Sequence, residues 1–452
     1  MMIKQFYDEA LSQLSYAIES LGQIALVDPA RDIQPYVDFA KRHDGKIVAV
    51  FETHPHADFA SSHLEISKRF NAPVYINPKA GVYYNANELG HNEEVRIGDL
   101  TFRALFTPGH SPDHNAYLLL ENSVEKAVFS GDALFVGDVG RPDLREDTGN
   151  MQVSKKELAS MMYDTINNVF NKLNDTTIVY PAHGPGSLCG KNMGEELQTT
   201  IGKERSINWA FQIKDKDQFI TDFLDGQAFI PKYFPYEVEV NRKGIDSPEE
   251  AIQKIYEAKT IDEKALIIDV RDQEKFKKGH LKQSINIQLG DDTSKFETWL
   301  GSIVGPDESF NLVASDEAEL QQAVRRAAKI AYEGRIVGIT YKLPQYKLYA
   351  DQEIDLQDFK QNPDDYTILD IRNKSEVAEG KIFDEAINIP LPELRERITV
   401  IPDHKPVVVH CAGGYRSAAG SSILSTEFTE VTVYDLSEAI NEFNEHSENY
   451  SQ

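Results

Sequence analysis

The sequence predicts a multidomain α/β protein, and three observations carry that prediction. Apolar, β-branched runs in the first half stop at clusters of histidine and aspartate, as buried strands do when they deliver polar side chains to loops. Strand-like and helix-like patterns alternate along the chain. A block in the second half recurs: Ile267-Ile268-Asp269-Val270-Arg271 with Ser284-Ile285-Asn286-Ile287 returns as Ile368-Leu369-Asp370-Ile371-Arg372 with Ala386-Ile387-Asn388-Ile389. The paired aspartates lie 101 residues apart and the paired asparagines 102, so two copies of one α/β domain follow each other. A chain of 452 residues exceeds what one hydrophobic core serves, and two to four domains are expected.

Composition narrows the function classes. The chain is 41% apolar and 27% charged, ordinary for a globular protein, but its net charge is -26. That sign argues against nucleic acid and against an anionic membrane surface. No stretch approaches the roughly 18 apolar residues of a membrane span, and the amino end lacks the apolar core of a signal peptide, so the expected compartment is the cytoplasm. Two cysteines, Cys189 and Cys411, cannot build a disulfide framework. Each is either a reactive thiol or a buried apolar filler.

In chain order, Asp8 to Leu14 reads as a short helix before strands at Ser15 to Ile18 and Gln23 to Val27. Asp28-Pro29 turns the chain into a helix near Ile33 to Arg42. The run Lys46 to Phe51 is a buried strand that stops at Thr53-His54-Pro55-His56-Ala57-Asp58. Ser61 to Phe70 then reads as a helix, Pro73 to Ile76 as a strand and Arg96 to Phe106 as a hairpin. Glu157 to Leu173 is a long helix before a strand at Thr177 to Tyr180, and an amphipathic helix is expected near Gly194 to Phe211.

The His54 loop looks like a metal site, because a loop at a strand end can converge two histidines and a carboxylate that no helix would place on one side. Further candidates follow other apolar runs: His110 in Thr107-Pro108-Gly109-His110, Asp132 in Ser130-Gly131-Asp132 and His183 in Pro181-Ala182-His183-Gly184. This ordered set, HxHxD, TPGH, SGD and PAHG, closely resembles the metallo-β-lactamase superfamily over about residues 1 to 230. The resemblance implies an αββα sandwich. Two-zinc members such as glyoxalase II read HxHxDH, whereas here Phe59 follows Asp58. The second site is left with Asp58 and His183 as its own ligands, fewer than a closed zinc site uses, so one metal is favoured. The branch that looks most similar, persulfide dioxygenase, implies one Fe(II) per chain on His54, His110 and Asp132. Two histidines and one carboxylate form the facial set that leaves positions open on non-haem iron. His56, Asp58 and His183 would then orient ligands from behind.

After His183 comes Gly184-Pro185-Gly186-Ser187-Leu188-Cys189-Gly190-Lys191, which resembles the loop of bacterial persulfide dioxygenases fused to sulfurtransferases. Lys191 and Arg205 are candidates to meet an anionic substrate, or are plain surface charges. Cys189, six residues beyond His183, is a candidate for a modest catalytic role beside the metal, or a pocket-lining group. Phe219 to Gly244 resembles the connector of those fusions.

The repeat, with its DxR, glycine and (S/A)IN(I) pattern, resembles the rhodanese domain. In the second copy the strand Pro406 to His410 leads to Cys411-Ala412-Gly413-Gly414-Tyr415-Arg416-Ser417. Loop amides, including those of Gly413 and Gly414, and a helix amino end favour the thiolate of Cys411, and Arg416 adds a fixed positive charge. Cys411 to Arg416 spans six residues, the loop length that resembles sulfurtransferases; related phosphatases have one more. In the first copy the strand Asn311 to Ala314 ends at Ser315-Asp316-Glu317, a weak sulfur acceptor beside two carboxylates. That copy reads as catalytically dead, either a scaffold or docking surface or a spacer.

The sequence therefore divides into residues 1–240, a persulfide dioxygenase-like domain, 241–350, a degenerate rhodanese-like domain, and 351–452, an active one. The resemblance to persulfide dioxygenase–rhodanese fusions implies a small-molecule thiol persulfide and O2 as substrates, sulfite and thiosulfate as products, and a homodimer or homotetramer. Two readings of other classes stand beside it: a zinc thioester hydrolase with an attached sulfur carrier, and a non-enzymatic persulfide store or redox sensor.

Overall fold

The computed structural model describes residues 1–145, 152–257 and 260–443. The chain forms two compact units, Met1–Ser247 with Ala328–Ala331, and Pro248–Ala327 with Tyr332–Gln452. Among the described residues no helix is long and apolar enough to cross a membrane.

The first unit holds two six-stranded sheets. One takes its strands in chain order from Met2–Asp8 to Asn87–Glu88; the other runs from Glu94–Ile97 to Thr199–Thr200, again in chain order. Alternation along the strands gives each sheet two apolar faces. Tyr16, Ile18, Ala49 and Phe51 of the first sheet meet Phe102, Tyr117, Leu119 and Phe129 of the second in a buried layer between them. Ala17, Ile24, Leu26 and Val50 point the other way, onto Tyr36, Val37 and Phe39 of the helix Gln34–Arg42. Leu118, Leu120 and Val128 of the second sheet pack outward on Met162 and Ile166 of the helix Lys155–Asn168. Helices thus cover both outer faces of a pair of sheets, the αββα sandwich.

Three local expectations change. Asp8 to Leu14 is not helical: Met2–Asp8 is a strand paired in full register with Gln13–Ser20, and the turn between them places Ser12 at φ +52°. The helix expected over Gly194 to Phe211 starts later and breaks. Thr199–Thr200 pairs with the strand Ile178–Pro181, Thr200 caps Ile201–Ile207, and the Asn208 side chain caps a new turn at Trp209–Gln212. The long helix before His183 ends at Asn168 and continues as a 3-10 turn, Phe170–Lys172.

Phe219 to Gly244 is built into this unit rather than strung from it. Its helices are Lys216–Leu224 and Phe234–Lys243. Phe219 and Phe223 enter the core beneath the second sheet. Asn241 is buried and reaches back across the sequence to the metal-loop backbone. Its Oδ1 accepts the Ser61 N–H at 2.8 Å, and its Nδ2 donates to the carbonyls of His56 and Phe59, each at 2.8 Å.

In the second unit each repeat forms a four-stranded parallel sheet with the same order. The first is Ser284–Asn286, Leu266–Asp269, Phe310–Val313, Ile336–Thr340, and the second Ile387–Asn388, Thr367–Asp370, Val407–His410, Val433–Asp435. The repeated residues are the joints of this fold. Arg271 bonds Asp269 and the Gly279 carbonyl, as Arg372 bonds Asp370 and the Gly380 carbonyl. The amide of Asn286 donates to the Asp269 and Arg271 carbonyls, and Asn388 does the same at Asp370 and Arg372.

Truncating Asn241 to alanine strands three buried backbone groups of the metal loop. The expected loss is about 2–4 kcal/mol in the urea unfolding of the first unit, with weaker metal retention. A loss within measurement error would show that Asn241 does not hold the loop.

Candidate metal centre

Each metal-ligand candidate hangs on the carboxyl end of a strand. Lys46–Phe51 leads to His54, Leu100–Phe106 to His110, Val124–Gly131 to Asp132 and Ile178–Pro181 to His183. The sandwich brings these ends together. One nitrogen of His54, one of His110 and one oxygen of Asp132 lie within 4.8 Å of one another, all buried. Nε2 of His110 is 3.4 Å from Asp132 Oδ2, and Nε2 of His54 is 4.0 Å from it.

The surroundings decide which nitrogens carry protons. Thr53 gives its one hydroxyl proton to Asp28 Oδ2 at 2.9 Å, so its contact of 3.0 Å with His54 Nδ1 is an N–H donated by the imidazole. The Thr53 amide bonds Asp28 Oδ1, fixing that pair. Nδ1 of His110 faces the Arg141 carbonyl at 2.9 Å, and a carbonyl only accepts. Both histidines therefore turn a bare Nε2 inward. Burial, with the neighbouring His56, holds His54 well below the usual histidine pKa, and burial lowers His110 too, so both are neutral ligands.

Asp132 completes the set. Its Oδ1 takes the Nδ1–H of His183 at 2.8 Å, while Oδ2 is buried without a hydrogen-bond partner. Burial alone would raise its pKa; the ion pair and hydrogen bond with His183, with the His110 imidazole close by, outweigh that and hold it below the usual carboxylate range. Two imidazole lone pairs and a carboxylate oxygen thus face one another with no proton between them. That arrangement is repulsive until a cation occupies the centre, so these residues fit a metal.

Two glycines permit the approach. A Cβ on Gly140 would overlap the Asp132 carbonyl oxygen and lie 2.9 Å from His110 Nδ1. Gly131 has φ +54°, and a Cβ there would lie 2.7 Å from Thr53. Thr53, Asp28, Gly140 and Asn241 were not singled out as site residues from the sequence. Neither was His114, whose Nε2 accepts the Asp132 N–H at 3.1 Å; burial lowers its pKa to about 3.

The remaining histidine-loop residues form two other groups. His56 turns from the metal cluster to Asp28, with Nε2 3.1 Å from Oδ1, and it shares a buried group with Asp28 and Glu52. Asp58, His183 and Cys189 make the third, also buried and within 4.8 Å. His183 Nε2 stands 2.7 Å from Asp58 Oδ2 without hydrogen-bond alignment. Burial favours a neutral His183, but Asp132 and Asp58 on either side raise its pKa well above the usual value. Phe59 fills the space beside this group, its ring 4.4 Å from His56 and 6.5 Å from His183.

The two basic candidates are engaged elsewhere. Lys191 Nζ donates to the Asp225 carbonyl at 3.0 Å, and its amide is held by Asp138. Arg205 bonds Asp175, Asn171 and the Leu173 carbonyl at the surface. Their charged ends are not brought to the metal cluster.

In the carboxy-terminal repeat, Val407–His410 ends at Cys411, which is buried and receives the Gly414 amide at 3.1 Å. The helix Tyr415–Glu427 starts inside the loop, its amino end next to the thiol. Gly414 has φ +99°, and a side chain there would meet Glu438 and Ser437. Gly413 is exposed, open to a ligand. Arg416 forks onto both oxygens of Glu376 at 2.6 Å each, with its guanidinium 5.9 Å from the Trp299 ring centre. In the middle repeat the corresponding Ser315 has its amide bonded to the Glu319 carboxylate and its hydroxyl to Lys275. An internal carboxylate occupies the donor that an anion would use.

Sandwich, metal cluster and thiol loop define a metal-dependent enzyme core followed by sulfurtransferase-type domains. Residues 8–183 match the metallo-beta-lactamase superfamily, and residues 247–339 and 355–446 each match the rhodanese-like domain. A probable hydroxyacylglutathione hydrolase of Schizosaccharomyces pombe is 30% identical over 228 residues, 44% of this chain and 81% of that protein. Among solved structures, a metallo-beta-lactamase from Staphylococcus aureus aligns with TM-score 0.67 and 31% identity over 75% of this chain and 98% of its own. ETHE1 from Myxococcus xanthus aligns with TM-score 0.46 and 30% identity, over 54% and 98%. The chain belongs to the metallo-beta-lactamase superfamily and carries two rhodanese-like domains.

Thr53→Val keeps the shape of the loop but removes the acceptor that fixes His54. Metal affinity is expected to fall about 10- to 100-fold, measured by competition with a chelator. Unchanged affinity would mean that His54 is oriented by other groups.

Proposed function

We propose that the chain is a non-haem iron persulfide dioxygenase coupled to a sulfurtransferase, with one Fe(II) on His54, His110 and Asp132. The observation that carries the reading is the composition of that cluster: two bare imidazole nitrogens and one carboxylate oxygen, with His56 turned away to Asp28. Two nitrogens and one oxygen leave positions open for substrates and suit iron that handles O2. When bound, iron would supply redox chemistry that brings O2 and the terminal sulfur of a persulfide together, which redox-silent zinc does not.

The balance is RSSH + O2 + H2O giving RSH, sulfite and two protons. The chain's own residues supply positioning. Thr53 and the Arg141 carbonyl hold the ligand nitrogens inward, His183 anchors one oxygen of Asp132, and the buried walls exclude bulk water. In the carboxy-terminal domain the Cys411 thiolate attacks the sulfane sulfur of a second RSSH, forming the Cys411 persulfide and releasing RSH. Sulfite then takes that outer sulfur, giving thiosulfate and restoring the thiolate. The amides near Gly414 stabilise the sulfur anion in both steps, and Arg416 faces the anionic partner once it exchanges Glu376 for it. The use would be removal of sulfide-derived persulfide in the cytoplasm by a homodimer or homotetramer.

A second reading has its own support. The Schizosaccharomyces pombe relative carries a hydrolase name, and a zinc thioester hydrolase joined to a sulfur carrier would use the same fold.

An oxygen electrode beside chromatography of the products tests the coupling. Wild type given a thiol persulfide should consume O2 and yield thiosulfate. Cys411→Ser should keep most of the O2 uptake while the product shifts to sulfite, and His110→Ala should lose the uptake. Thioester hydrolysis without O2 uptake would overturn the dioxygenase reading, and undiminished thiosulfate from Cys411→Ser would overturn the role of the thiol.

A further inference from the structure

A buried ion pair sits between two of the ligand-bearing loops. Asp113 lies three residues beyond His110, and Arg145 Nη1 reaches the carbonyl of Pro55, between His54 and His56, at 3.5 Å. The pairing is end-on: Nη1 and Nη2 donate to Asp113 Oδ1 and Oδ2 at 3.2 and 2.8 Å, and the Ser111 hydroxyl donates to Oδ1 at 2.7 Å. Such a fork covers the Nη edge of the guanidinium and leaves the Nε edge outside it. Both side chains are 1% exposed, and Arg145 Nε has no hydrogen-bond partner among the described residues. A brace between loops needs only the nitrogens already engaged. The remaining N–H is a buried donor on a charged group, costly to keep without an acceptor. Beside burial, the guanidinium charge favours neutral imidazoles at both His54 and His110, which puts it within electrostatic reach of the metal cluster.

We propose that the Arg145 Nε–H receives a small oxyanion held at the first cluster, and that sulfite is that anion. The choice of sulfite rests on the dioxygenase reading; the unfilled donor does not. A guanidinium N–H bonds an anionic oxygen strongly, whereas sulfur is a weak acceptor, so the donor gains most once oxygen has been added to sulfur. Arg145 thereby favours the charge that the reaction creates over the persulfide that enters it. Asp113 has the complementary task. It holds the guanidinium in one orientation and balances its charge while no anion is present, as a buried cation requires. Lys191 and Arg205, the basic residues expected to meet an anion, are engaged elsewhere, and Arg145 takes that place from a position the sequence does not mark.

Sulfite titrated anaerobically into protein loaded with a single equivalent of cobalt(II) reads the site, because an anion at the open positions of the cluster changes the cobalt d–d absorption. The carboxy-terminal loop has no metal ligands and is silent in this measurement. Wild type should give a saturable spectral change. Arg145→Lys keeps a cation for Asp113 but loses the planar N–H, and sulfite should bind about tenfold more weakly or worse. Arg145→Met combined with Asp113→Leu removes both charges together, leaving no bare carboxylate, and should show the same loss. Cobalt affinity should match wild type in both, which a residue that only braces the loops would not allow. No sulfite response in folded wild type, or undiminished sulfite affinity in either variant, would overturn the proposal. So would sulfite and cobalt affinities that fall together, or failure of both variants to fold, since either outcome makes the pair a brace. The titration consumes no O2: an iron form without O2 uptake would refute the dioxygenase reading and leave this result standing.

Discussion

The first unit depends on one constraint: Asp132 must present a single free oxygen to two bare imidazole nitrogens. His183 ties down the other oxygen, and the Asp132 amide is tied to His114. Without those ties the carboxylate would turn to the nearest donor and the cluster would collapse. The rest of the sandwich follows from keeping this buried group in place. Asp28 braces Thr53 and through it His54, the Arg141 carbonyl braces His110, and Gly140 and Gly131 lack the side chains that would collide with Asp132, His110, His114 and Thr53. Asn241, far along the chain, stitches the loop backbone from behind. The arrangement places two neutral imidazoles and one carboxylate in a buried group whose donors fit a cation.

The carboxy-terminal half handles charge differently. Its sulfur site uses no metal ligands; it relies on a loop amide and a helix amino end directed at a thiol. The two repeats share sheet order and the aspartate–arginine–asparagine joint, yet diverge at the loop. The Gly414 amide bonds the sulfur of Cys411, whereas the Ser315 amide bonds Glu319 of its own domain. A carboxylate there competes with any anionic substrate, a second difference from the carboxy-terminal repeat beside the serine at the position of Cys411. The same half also keeps Arg416 paired with Glu376, so its charge is held in place until an anion competes for it.

Much of this is legible in the sequence. Ligand candidates at strand ends stand out because an apolar run that stops at histidine and aspartate marks a buried strand opening into a polar loop, and the repeat is visible as a spacing. Other features depend on contacts that spacing does not encode. Phe219 to Gly244 resembles the connector of fused relatives, but Phe219, Phe223 and Asn241 find their partners across the sequence. Lys191 and Arg205 have the charge that an anion site needs, and geometry directs them to carbonyls and to Asp175 instead. Asp8 to Leu14 has a helical pattern but no helix, because Met2–Asp8 pairs with Gln13–Ser20 and leaves only a turn between them. Cys189 is visible as a thiol near His183, but not as the third member of the Asp58 group, since loop closure alone brings Sγ there.

Whether the first cluster works through iron and O2 is tested most directly by metal exchange. Protein stripped of metal is reconstituted separately with Fe(II) and with Zn(II), and each form is given a thiol persulfide under O2 and, in parallel, a hydroxyacyl thioester. The iron form should consume O2 in step with persulfide and leave the thioester intact, while the zinc form should consume none. A zinc form that hydrolyses the thioester, beside an iron form that takes up no O2, would contradict the dioxygenase chemistry.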